Sequence, residues 1–126
     1  MLLDTTFLID LLDQLDAAET ALADLIEGET PVAVSPLTVY ETGIGLRENE
    51  YARFDEILTS MVVLPLGHTE SRRALSIQRA LGDRGEPIGD IDSLIAATAI
   101  ESMDSRVLTR NVDEFARVGD LDVETY

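Results

Sequence analysis

Asp90-Ile-Asp-Ser-Leu-Ile-Ala-Ala-Thr-Ala-Ile-Glu-Ser-Met-Asp-Ser-Arg-Val-Leu-Thr109 places a helix and a buried strand side by side. Asp90 to Met103 is rich in Ala, Leu and Ile and free of Gly and Pro, which predicts a helix. Its two leading acids suit the positive end of a helix dipole. Arg106 to Thr109 is too short for another helix and apolar enough for a strand covered on both faces. A helix passing straight into such a strand is the repeating unit of a parallel sheet.

Working outward, the same alternation recurs. Met1 to Leu3 reads as a short buried strand, followed by an amphipathic helix over Thr5 to Leu12. A second helix starts near Asp16, gathers Ala21, Leu22, Leu25 and Ile26 on one face, and ends at Gly28. Val32 to Val34 is a strand bounded by Pro31 and Pro36. Helices over Thr38 to Leu46 and Tyr51 to Ser60 lead to a third strand at Met61 to Leu64. Thr69 to Leu81 reads as a helix closed by Gly82. A turn at Val112 to Phe115 and a last strand at Leu121 to Glu124 complete the chain. Right-handed crossovers then give an α/β fold: a three-layer α/β/α sandwich with a small central parallel sheet, one domain over residues 1–126. Ligands of such sheets gather beyond the carboxyl ends of the strands, where strand order switches.

Composition narrows the chemistry. The hydrophobic share of 45% supports a packed core, and the absence of cysteine removes disulfides, thiol catalysis and zinc–thiolate sites. No apolar run approaches a membrane span and Asp4 interrupts any leader core, so a cytoplasmic protein is expected. All 9 basic residues are Arg, against 25 acids. Without lysine there is no Walker-type phosphate loop. Receiver and haloacid-dehalogenase-type domains, which also use lysine, are excluded on the same ground. With His68 as the single histidine and no Gly-x-Ser-x-Gly elbow, a Ser-His-Asp machine is excluded too. Acids spread along the whole chain suggest adaptation to a salt-rich cytoplasm more than repulsion of nucleic acid.

Four positions carry the functional reading. Asp4 directly follows the first strand; its alternative role is to cap the next helix. Glu41 stands between apolar neighbours Val39, Tyr40 and Ile44, and acids in apolar settings are usually paired or metal-bound. Asp90 and Asp92 point in different directions on one helix, so Asp90 is assigned to the cap and Asp92 to the interior. Asn111, with Asp113 or Glu114 beside it, lies just past the fourth strand; a plain turn is its alternative. Carboxylates collected at one sheet edge repel each other unless a cation joins them, and Mg²⁺ or Mn²⁺ is the fitting ion. Such an ion activates water and neutralises charge on a phosphodiester, which is hydrolytic nuclease chemistry.

Leu3-Asp4-Thr5-Thr6, Val39-Tyr40-Glu41-x-Gly43, Pro87-Ile-Gly-Asp-Ile-Asp-Ser-Leu-Ile-Ala-Ala-Thr-Ala99 and Leu108-Thr-Arg-Asn111-Val-x-x-Phe115 together resemble the successive motifs of PIN domains of the VapC toxin family. The resemblance spans nearly the whole chain, and implies a Mg²⁺- or Mn²⁺-dependent endoribonuclease, a homodimer, an RNA substrate and a VapB-type antitoxin covering the site. Asp4, Glu41 and Asp92 match the family's first three acids, and Asn111 falls where many relatives carry Asp. The expected roles are Asp4 and Asp92 as metal ligands, Glu41 as positioner or base for water, and Asn111 orienting water or substrate, with Asp113 as a substitute acid. Thr6 and Thr109 are expected to brace the carboxylates, and Arg47, Arg84 and Arg110 are candidates to hold RNA. A catalytically impaired binding or regulatory module is the alternative that Asn111 favours. A flap-type DNA nuclease fits less well in so short and acidic a chain. One of the two apolar faces, around Leu22, Leu25 and Ile26 or around Phe54, Ile57 and Leu58, is expected to form a twofold dimer contact.

Overall fold

The computed structural model describes residues 1–126. Its five short strands are β1 (Leu2–Leu3), β2 (Ala33–Val34), β3 (Val62–Val63), β4 (Arg106–Leu108) and β5 (Asp122–Glu124). They form one parallel sheet in the order β3-β2-β1-β4-β5. The helices between them are α1 (Thr5–Leu12), α2 (Asp16–Glu27), α3 (Pro36–Ile44), α4 (Tyr51–Thr59), α5 (His68–Asp83), α6 (Asp90–Glu101) and α7 (Val112–Phe115).

Alternation along the central strands decides the layering. Leu2 and Val107 face one way, into a core with Ile77, Leu81, Ile95 and Phe115. Leu3 and Leu108 face the other way, among Phe7, Leu8, Leu11 and Phe54. Successive strand residues point to opposite faces, so a sheet with both residues of β1 buried has helices on both sides. That is the expected three-layer sandwich. α6 is buried along most of its length, and Ala96, Ala97 and Ala99 are fully inaccessible, so this helix lies close against its neighbours.

Helix ends differ from the sequence reading in instructive ways. Gly82 lies inside α5, which runs on to Asp83; the reversal comes at Gly85, φ +71°. There Glu86 N–H donates to Leu81 C=O at 2.8 Å and Gly85 N–H to Gly82 C=O at 3.0 Å, a Schellman closure. α1 and α2 close the same way, but through Gln14 (φ 58°) and Glu29 (φ 54°) rather than glycine. Leu15 N–H reaches Asp10 C=O, and Thr30 N–H reaches Leu25 C=O, each at 2.9 Å. α6 stops at Glu101, short of Met103, where the Ser102 hydroxyl bonds Ala99 C=O at 2.6 Å and Asp104 C=O at 2.9 Å. α3 begins at Pro36, earlier than expected, because the Ser35 hydroxyl accepts from Leu37 N–H at 3.2 Å and Pro suits a first helical position.

Candidate active site

β1 and β4 are neighbours at the centre of the sheet, yet the chain leaves them on opposite faces. α1 packs among Phe7 and Leu8 on one side, and α7 inserts Phe115 into the core on the other. The crevice between these departures is the switch point, and Asp4 stands in it, 2% exposed. Asp4 occupies the cap position of α1, but its side chain makes no capping hydrogen bond. Its Oδ2 instead accepts from the Thr109 hydroxyl at 2.7 Å and the Thr6 hydroxyl at 3.1 Å. Thr109 is itself fixed, since its hydroxyl accepts from Asn111 N–H at 2.9 Å. Two hydroxyls, one from the start of α1 and one just past β4, thus hold a buried carboxylate, which an ordinary cap would not require.

The other acids arrive from three further elements. Glu41, half-buried on α3, accepts at Oε1 from the Thr5 hydroxyl at 2.8 Å, so adjacent threonines at the start of α1 hold two different acids. Its apolar neighbours Tyr40 and Ile44 are exposed, 65% and 68%, so they do not enclose it. Asp92 extends from the first turn of α6, where its Oδ2 accepts from Asn111 Nδ2 at 3.2 Å. Burial raises the Asp92 carboxyl to about 7, aided by a hydrogen bond with Glu114 and by the negative charges of Asp4, Glu114 and Glu41. The same shared proton, with the Gly89 N–H and the Asn111 amide, holds Glu114 below the usual carboxylate range. Asp92 therefore keeps the proton and Glu114 the charge.

Glu114 is the residue that the sequence reading undervalued. Asp113, the substitute acid, points to solvent, whereas Glu114 Oε2 lies 3.4 Å from Gly89 N and beside Asp92. Gly89, not Asp90, occupies the cap position of α6, and Asp90 is an exposed first helical residue. Arg110 is not free for a ligand: its Nε pairs with the buried Asp10 at 2.8 Å, and Asp10 also accepts from the Tyr126 hydroxyl at 2.6 Å. Arg47 lines a cavity of about 380 Å³ beside Glu41, with Ile9, Leu12, Thr42 and Asn49. Arg84 sits apart, at the end of α5.

The donor set is all hard oxygen: Asp4, Glu41, Asp92 and Glu114, steadied by hydroxyls and one amide. No three of these groups close a ready-made coordination shell. The oxygen chemistry of these side chains fits Mg²⁺ or Mn²⁺, and magnesium is commonly bound by one or two carboxylates with several waters. A cation would also relieve the repulsion from Asp4, Glu114 and Glu41 that adds to burial in raising Asp92.

The PIN domain family profile matches residues 1–121. The chain belongs to the PIN-domain family. Over 120 residues it is 35% identical to "Ribonuclease VapC19" of Mycobacterium tuberculosis, covering 95% of each chain. As a fold, this PIN domain is similar to VapBC2 from Rickettsia felis, solved bound to a promoter DNA fragment: TM-score 0.87, 22% identity, 99% of this chain and 97% of that one. It is also similar to FitAcB from Neisseria gonorrhoeae, with TM-score 0.81 and 26% identity over 97% of this chain and 94% of that one. No helix of the PIN domain is long and apolar enough to cross a membrane.

Proposed function

We propose that this PIN domain is a Mg²⁺- or Mn²⁺-dependent endoribonuclease and the toxin of a VapBC-type pair, kept in check by a VapB-type antitoxin over the site. The observation that carries the reading is the Asp4 carboxylate, buried at the switch point and held by Thr6 and Thr109 instead of capping α1. The similarity to a protein named a ribonuclease supports RNA as substrate, and similarity to VapBC complexes supports the antitoxin. The module without catalysis loses its main support, because Glu114 supplies an acid next to Asn111. Work in the cytoplasm and as a twofold dimer complete the proposal. The α2 and α4 faces expected for the dimer meet along one groove of about 280 Å³ lined by Leu11, Leu22, Ile26 and Ile57.

Asp4 and Asp92 would hold the ion, which would acidify water and offset charge developing on the phosphodiester. Thr6 and Thr109 fix the Asp4 carboxylate by donating to Oδ2, leaving Oδ1 without a protein hydrogen bond. Thr5 fixes one oxygen of Glu41, so the other is left to orient the attacking water and accept its proton. Asn111 donates its amide to Asp92 and steadies the Asp92–Glu114 pair, a positioning task rather than ligation. Glu114 shares a hydrogen bond with Asp92 and so helps to position that carboxyl.

The test is cleavage of single-stranded RNA with Mn²⁺, alongside Mn²⁺ binding by titration calorimetry. Asp4→Asn is expected to lower cleavage at least a hundredfold, within the reach of catalytic electrostatics, and to weaken Mn²⁺ binding. Equal activity in the two proteins ends the proposal.

A further inference from the structure

Arginine is scarce here, with 9 in a chain of net charge −16, yet three of them line one small cavity between α5 and the segment that follows α7. Arg73, Arg84 and Arg117 surround about 140 Å³ together with Ser76, Gly119 and Asp120. Arg73 is neutralised by Glu101 at 2.6 Å. The other two are not in ion pairs. Arg84 Nη2 donates to the Arg117 C=O, and Arg117 Nη1 to the Pro87 C=O, each at 3.0 Å. A guanidinium carries five N–H donors, so both retain donors and full charge for an anion. Asp120 lines the cavity without pairing to either.

These contacts lead back to the acids in short steps. Arg117 holds Pro87, two residues from Gly89; Gly89 N–H meets Glu114, and Arg117 helps to keep Glu114 charged. By contrast, Arg110 beside Asp4 is consumed by Asp10. We infer that Arg117 and Arg84 form a phosphate track that holds the RNA strand on one side of the cleavage point. The inference rests on the ribonuclease reading and adds to it the path of the substrate. In a surface this acidic, a strand is repelled over most of the protein, and two guanidiniums outside any ion pair, linked to the site through Pro87 and Gly89, give it a place to lie. At high salt the repulsion is screened and the direct guanidinium–phosphate contacts weaken with it, so the track is read from the salt dependence of binding.

The experiment measures binding of a labelled single-stranded RNA by fluorescence anisotropy in EDTA, so that nothing is cut, over a series of KCl concentrations. The pair Arg84→Gln/Arg117→Gln is expected to bind about tenfold more weakly. Its log K against log salt should be shallower by about 1.4, two contacts at roughly 0.7 each for a single strand. Arg79→Gln, an exposed arginine of α5 outside the cavity, should change affinity less than about twofold. A double variant no worse than two such control losses overturns the track, and leaves the ribonuclease reading standing if wild type cleaves RNA with Mn²⁺. Wild type that binds no RNA overturns the track, and if it also cleaves none, both fall. Should the Gln pair melt early, the Lys pair decides: a wild-type salt slope supports the track and a shallow one overturns it. Inorganic phosphate titrated alone reads the rival occupant. Phosphate binding lost in the Gln pair while RNA affinity stays unchanged overturns the strand as ligand.

Discussion

Asp92 is held at about 7 mainly by burial, then by Glu114, Asp4 and Glu41. An acid whose folded pKa lies above its unfolded value near 4 is increasingly costly to the fold as pH rises between the two, because only the unfolded chain gladly gives up the proton. The metal-free protein is therefore expected to lose stability from about pH 4 to about pH 7. For a partly solvated group the loss is on the order of 1–2 kcal/mol. Asp92→Asn should flatten that slope without lowering stability at pH 7, and Mn²⁺ should flatten it in wild type. Thermal melts in EDTA across this range check it; an unchanged slope in the Asn variant refutes it. A sequence lists acids but not which of them are crowded. Asp4 and Asp92 stood out because one follows a strand and the other lies in the first turn of a helix, and Glu41 because it stands among apolar neighbours. Glu114 was not, because the phase of a four-residue helix determines whether Asp113 or Glu114 turns inward.

At the scale of elements, Gln14 and Glu29 pay a conformational toll at φ 58° and 54°, where a Cβ crowds the backbone. Glycine meets no such penalty, so Gln14→Gly and Glu29→Gly are each expected to stabilise by about 0.5–1 kcal/mol, read as a rise in denaturation midpoint at unchanged m-value. Loss of stability in both would show that these side chains do more than tolerate the turn. The same two sites explain why helix ends were harder to read than helices. Gly28 and Gly82 attract the eye as terminators, yet the left-handed residues are Glu29 and Gly85, one or more steps further on. What ends a helix is the φ of the reversing residue, and composition only biases it. Strands β1 and β4 and helix α6 were legible for the opposite reason: most of their residues are buried, so most positions are apolar or small.

For the whole molecule, self-repulsion of a net charge of −16 outweighs the few ion pairs, with most carboxylates far from any guanidinium. Screening should relieve it, and melting temperature is expected to climb between about 0.1 M and 2 M KCl by several degrees. A flat profile in calorimetry removes salt adaptation as the meaning of the composition. The hydrogen bond from Thr109 to Asp4 joins residues 105 positions apart, and β1 lies directly beside β4. During translation, then, Asp4 waits for at least another 105 residues before its brace exists. A nascent or truncated chain lacking Thr109 has the acid without the hydroxyl that fixes it, so the site is assembled only after β1 and β4 have come together.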